Sequence, residues 1–142
     1  MKRTAVLGAI ILVFTAALNA RGASDSTQAV EKAEAASAKW LALVDAGDYK
    51  GSWNNAAAYF KNAVSMDRWV QQVTAVRPPL GNLISRKVVS AKYATTLPGA
   101  PDGQYVVITY ATSFANKKSA TETVTPMLDP DGSWRVSGYF IR

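Results

Sequence analysis

Hydrophobic positions in this chain change their period once, and the change divides it into two kinds of structure. From about residue 25 to 76, apolar side chains return every three or four residues; from Leu83 onward they alternate. The first spacing belongs to helices with one buried stripe, the second to half-buried strands. Val30, Ala33, Trp40, Leu41 and Val44 make the first stripe, with Glu31, Lys32, Glu34 and Lys39 mostly off it. Asp25 stands where an N-cap belongs, and Gln28 suits the reach-back position three residues on. Gly47 closes this helix and Asp48 caps the next, in which Tyr49, Trp53, Ala56, Phe60 and Val64 share a face. Ser65 caps a third helix with Met66, Trp69, Val70, Val73 and Val76 inward. Pro78 and Pro79 are expected to end it at Arg77, since proline disfavours helical backbone in the residue before it.

Four strands follow, over residues 84–97, 104–115, 120–128 and 133–141, joined by turns at Pro98–Gly103, Asn116–Ser119 and Asp129–Gly132. In the second strand Val106, Ile108, Tyr110 and Phe114 point one way, and Tyr105, Val107, Thr109 and Ala111 the other. In the last, Trp134, Val136 and Phe140 share a face. Helices followed by a sequential antiparallel meander predict an α+β domain, its helices against one side of the sheet. The opposite side then carries Tyr105, Val107, Tyr139 and Ile141, an apolar set that reads as a partner surface for a homodimer. Monomer and homodimer both stay open at this point.

The N-terminus changes the picture of where the domain starts. Met1-Lys2-Arg3 is basic, and the apolar run from Ala5 to Leu18 is short of the roughly 20 residues a span needs. Small residues follow, with Ala20 a cleavage position. Residues 1–20 therefore read as a secretory signal peptide, leaving 21–142 as a single domain, periplasmic or secreted, with no stable membrane span. The chain has no cysteine, so no lipid is attached through one, and an exported product depends on its core rather than on disulfides. Of 16 Lys+Arg and 10 Asp+Glu, removing Lys2 and Arg3 leaves 14 against 10, a net charge of +4. The charges are scattered and no run of one sign exceeds two residues, which excludes a nucleic-acid patch.

Candidate chemistry is sparse. Without His or Cys, soft-ligand zinc sites, cysteine nucleophiles and His-assisted serine triads fall away. Asp129-Pro-Asp-Gly132 reaches its glycine too soon for a calcium loop and reads as a turn, so neither metal nor cofactor is expected. Glu122 is the only acidic residue inside a predicted strand. It is either a base in an apolar cavity or the partner of Arg86 or Lys92 across the sheet. Arg77 and Arg86 flank the Pro-Pro-Leu-Gly corner, where they either hold an anionic ligand through bidentate contacts or serve the helix end. With aromatic walls added, Trp53, Tyr59, Arg77, Arg86 and Tyr110 form the candidate ligand set. Asp45 and Asp48 suit the helix junction.

Leu43-Val-Asp-Ala-Gly-Asp-Tyr-Lys-Gly-Ser-Trp53 resembles the first helix junction of the NTF2-like, or cystatin-like, superfamily. More narrowly, Arg77-Pro-Pro-Leu-Gly81, Arg86, Leu97-Pro-Gly-Ala-Pro-Asp-Gly103, Glu122 and Trp134-Arg-Val-Ser-Gly-Tyr-Phe140 resemble the DUF4019 family of small exported bacterial proteins of unknown function. The similarity runs from about residue 35 to 142. It implies a cone of three helices packed into the concave face of a curved four-stranded antiparallel sheet, and it brings no catalytic residues with it. The superfamily includes ketosteroid isomerases, polyketide cyclases, dehydratases and plain binding modules, so fold alone does not choose. The expected function is a non-enzymatic module of the bacterial cell envelope that binds a small molecule or an envelope protein. The alternative is a small lyase or isomerase of the ketosteroid-isomerase type with Glu122 as base, and it requires Glu122 to face a cavity.

Overall fold

A computed structural model of the chain describes residues 17–142; most of the expected signal peptide lies outside the described residues. Helices α1 (Ala17–Asp45), α2 (Tyr49–Asn54), α3 (Ala58–Ala63) and α4 (Met66–Leu80) come first. Strands β1 (Leu83–Ala94), β2 (Tyr105–Phe114), β3 (Lys117–Leu128) and β4 (Trp134–Ile141) follow, and pair antiparallel in chain order as one sheet. The α+β class and the sequential meander agree with the sequence reading. Three helix boundaries do not.

Helix α1 does not begin at Asp25 but runs through it from Ala17. Alanine is the commonest residue of this helix, and one glycine at position 22 costs only about 1 kcal/mol in a helix. Its buried side is Ala29, Ala33, Ser37, Trp40, Leu41 and Val44, and the helix touches all four strands. It ends as expected: Gly47 has φ 76°, its N–H donates to Val44 O at 3.0 Å, and Asp48 N–H reaches back to Leu43 O at 2.9 Å. Those two bonds are the Schellman closure. The Asp48 carboxylate then accepts from Gly51 N–H at 2.9 Å and caps α2.

The expected second helix is divided in two. Asn55 folds its side chain back onto Gly51 O at 2.8 Å, and extended Ala57 (ψ 151°) donates its N–H to Val136 O of β4 at 2.8 Å. An N–H committed to the sheet cannot serve a helix, so the four helices replace the expected three. Helix α4 passes through Pro78 and Pro79 instead of ending at Arg77. The carbonyls of this last turn find partners beyond the ladder: Pro79 O accepts from Asn116 Nδ2 at 3.0 Å, and Leu80 O from Asn116 N–H at 2.8 Å. Gly81, at φ 77°, turns the chain into β1.

On the sheet's inner face, Val106, Ile108, Tyr110, Thr112 and Phe114 of β2 are buried, as the alternation predicts. Strand β4 departs from it. Thr125 pairs with Gly138 but Pro126 with Val136, so Ser137 is an extra residue. A one-residue bulge exchanges the faces of everything beyond it. Val136 and Tyr139 therefore both turn inward, Ile141 with them opposite Glu122, and Phe140 is left 55% exposed. This corrects the placement of Tyr139 and Ile141 on an outer apolar face.

The core joins Trp40, Phe60 and Trp69 to Val106, Ile108, Val124 and Val136. Trp40 lies 5.8 Å from Trp69 and meets Tyr139 edge-on at 5.1 Å. Each of three indoles has an acceptor for its N–H: Trp40 on Ser52 O at 2.8 Å, Trp53 on Val64 O at 2.8 Å, and Trp69 on Ser52 Oγ at 2.9 Å.

Candidate functional site

Where the end of α1, the end of α4 and the sheet converge, the apolar core gives way to a chain of charges. It begins with Arg86 on β1, opposite Thr112 on β2. The Arg86 guanidinium reaches two carboxylates at once. Its Nε and Nη2 donate to Glu122 Oε1 at 2.7 Å and Oε2 at 3.2 Å. Its Nη1 and Nη2 donate to Asp45 Oδ2 at 2.7 Å and Oδ1 at 3.0 Å. Two forked contacts on one planar group fix the geometry on both sides. Burial works against the Arg86 charge, but hydrogen bonds to Asp45 and Glu122 outweigh it and raise the pKa above the ordinary arginine value.

Glu122, central on β3, is 0% exposed. Besides Arg86 it accepts from Thr112 Oγ1 at 2.6 Å and from the Tyr139 hydroxyl in a short contact. Burial pushes the Tyr139 pKa well above the usual phenol value, and the Glu122 charge and hydrogen bond push it further. Asp45 also accepts from Arg77 Nη2 at 3.2 Å, while Arg77 Nη1 closes the corner on Gly81 O at 2.6 Å. Arg77 is 5% exposed and its guanidinium lies over the Phe114 ring, 4.5 Å from the centroid. Its Nε is buried and has no hydrogen-bond partner. Two cations thus meet two anions, and the assembly is neutral.

The helix stripe explains Arg77. Trp69, Val73 and Arg77 are the buried residues of α4, four apart, whereas Val76, expected inward, is 51% exposed. An open apolar groove of about 280 Å³ runs between this side of α4 and the end of β4. Trp69, Val73 and Arg77 line one wall, Tyr139 and Ile141 the other, and Val76 and Phe140 also contribute. A second cleft of about 470 Å³ lies between α1 and the start of β4, with Trp40, Lys32, Lys39 and Arg135 among its lining.

Of the candidate ligand set, Arg77 and Arg86 are bridged by Asp45. Tyr110 is buried beside them on the inner face with its hydroxyl 2.7 Å from Ser37 Oγ, and burial raises its pKa. Trp53 is half-buried, with Lys61 over its ring at 5.7 Å. Exposed Tyr59 donates to Gly99 O at 3.1 Å, in the loop between β1 and β2. Neither Trp53 nor Tyr59 belongs to the charge chain. Among the residues read as a dimer surface, Val107 is half-buried and opposite Lys92. Tyr105 is 1% exposed: its hydroxyl donates to Pro101 O, and its ring lies 3.5 Å from where a Gly103 Cβ would stand. The loop of its own chain covers it. The Asp129–Gly132 turn is filled by Arg135, which donates to Asp129 Oδ2 at 3.0 Å and Asp131 Oδ2 at 2.8 Å; the Arg135 hydrogen bond holds the Asp131 pKa down at about 2.

Asp45, Thr112 and Tyr139 were missed as members of the site. Gly138 inside a strand pattern is the one available sign of the bulge that turns Tyr139 inward. Among the described residues, four helices over an antiparallel meander, with a neutral ion chain at the corner, define an α+β domain whose polar residues brace helices against sheet. The chain belongs to the DUF4019 family, described as proteins of unknown function, whose model matches residues 36–139. No curated protein matches it. Among the described residues no helix is long and apolar enough to cross a membrane.

Proposed function

We propose that this chain is an exported, non-enzymatic binding module of the bacterial cell envelope, built on the NTF2-like plan and directed there by a signal peptide over residues 1–20. The observation that carries the reading is the state of Glu122. It is the only acidic side chain in the four strands. Its two oxygens are engaged by Arg86, Thr112 and Tyr139, and it is closed to solvent. A general base must come within hydrogen-bond reach of the proton it removes. Glu122 instead faces an arginine, the arrangement that counts against the isomerase alternative, and its contacts join β1, β2, β3 and β4 to one another and, through Arg86 and Asp45, to α1.

The test uses the protein from Arg21 onward, assayed against enolisable cyclic ketones, beside Glu122→Gln. Under this reading neither protein turns the ketones over, and Glu122→Gln loses thermal stability. Turnover by the unaltered protein that disappears in a Glu122→Gln variant of unchanged melting temperature would establish the isomerase instead. Export is tested separately: the periplasmic fraction should contain a product beginning at Arg21.

A further inference from the structure

The cleft between α1 and the start of β4 carries a more specific consequence, a class of ligand, which rests on the binding-module reading. Its volume of about 470 Å³ is that of a small-molecule site. Lys32, Ala36, Lys39 and Leu43 follow one another along α1 at steps of four, three and four, so they share one side of the helix. All four are in the lining. Strand β4 contributes Trp134 and Arg135, and Trp134 is half-buried. Its ring is a broad apolar surface suited to another flat ring.

Charge decides the occupant. No acidic side chain is in the lining. Arg135 is matched by Asp129 and Asp131, but no ion pair among the described residues uses a lysine. Lys32 and Lys39 therefore bring two uncompensated positive charges to one concave surface, which raises the local concentration of anions. Both lysines are exposed, so pairing them costs little desolvation. Seven residues of helix separate their Cα atoms by about 10 Å, and flexible stems let each ammonium lean toward the cleft while staying in water. Two like charges at that spacing are answered best by one rigid body with an acid at either end. We infer that the cleft binds a flat aromatic dianion, its two acidic groups paired with Lys32 and Lys39 and its ring against Trp134.

The probe is naphthalene dicarboxylate with its acids at opposite ends of the fused rings, compared with naphthoate, which has one acid, and with the neutral naphthalene methanol. Each is titrated at low salt into the protein from Arg21 onward, and the tryptophan indole N–H resonances are followed. The Trp134 resonance, identified by its loss in Trp134→Phe, should move, while that of Trp69, which is buried outside this lining, stays. The dianion should bind about threefold more tightly than naphthoate and about tenfold more tightly than the alcohol, a few-fold for each exposed ion pair. Lys32→Gln and Lys39→Gln should each weaken dianion binding about threefold. Lys87→Gln, which removes the same charge from an exposed position on β1, should leave it unchanged. The inference is overturned if the Trp134 resonance does not move or if naphthoate or the alcohol binds as tightly as the dianion. It is overturned equally if Lys87→Gln weakens binding as much as Lys39→Gln, since net charge alone would then be the attraction. The ligand series needs no altered protein, so misfolding cannot imitate it. Failure here with no turnover of ketones leaves the non-enzymatic reading standing, whereas turnover removes that reading whatever the dianion does.

Discussion

Arg86 holds two carboxylates that arrive from different directions, Asp45 from the end of α1 and Glu122 from the middle of the sheet. Removing one partner of such a buried pair costs about 3–5 kcal/mol, largely because the other charge stays behind. Glu122→Gln is expected to lose stability on that scale in urea unfolding, and Arg86→Met similarly. The double substitution Arg86→Met with Glu122→Leu should lose clearly less than the sum, since no unpaired charge of this pair remains. Tyr139 gives the network a pH dependence. Its folded pKa is raised above the ordinary value of 10, so the folded chain keeps a proton that the unfolded chain releases. That contribution is complete below pH 10 and is lost as pH rises beyond it. Urea midpoints should fall from about pH 10 upward, and Tyr139→Phe should flatten the fall; the raised pKa of Tyr110 accounts for part of what persists.

At the level of the elements, the bulge that accommodates Ser137 decides whether Tyr139 belongs to the network. Deleting Ser137 removes the bulge yet leaves Val136 and Tyr139 two positions apart on their present β3 partners, so both still turn inward. The expected result is a loss of only about 1 kcal/mol in urea unfolding, for the Ser137 hydroxyl bond to Thr125 O. The Tyr139 titration, followed by ultraviolet absorbance, should stay raised above its ordinary value. The same bulge marks where sequence reading reached its limit. Strand order, the turns after β1 and β3, the Gly47–Asp48 junction and the Ser65 cap were legible because each depends on neighbours in the chain. The turn expected at Asn116–Ser119 is only Ala115–Asn116, with Lys117 already in β3. The division of the second helix depends on Ala57 finding Val136, 79 residues away, and no local pattern contains that. Helix α4 crossed its prolines for a similar reason, since Asn116 supplies donors to its last carbonyls. Arg77 sat openly at the third position of the Trp69–Val73 stripe, yet its charge hid its inward direction. Glu122 pairing with Arg86 was anticipated; Asp45 bridging to both arginines was not, because an acid at a helix junction is already explained by capping.

For the molecule as a whole, the family match from residue 36 understates what the fold uses. Ala29 and Ala33 are buried and Val30 packs on the core, so a protein beginning at residue 36 should be less stable than one beginning at Arg21 by about 3 kcal/mol, measured by thermal unfolding. The sheet's two lateral borders are also unlike one another. Along β4, the Ala57 N–H already occupies the Val136 carbonyl. Along β1, Ile84 and Val89 are extra residues that break the register with β2, and Lys87 and Lys92 are exposed between and beyond them. Ile84, Val88 and Val89 would otherwise be a hydrophobic template for a foreign strand. An incoming strand finds no straight, uncharged row of donors and acceptors on either side. The irregularities of β1 therefore act as a guard against templated fibril growth, and a sheet that stops at four strands is their consequence.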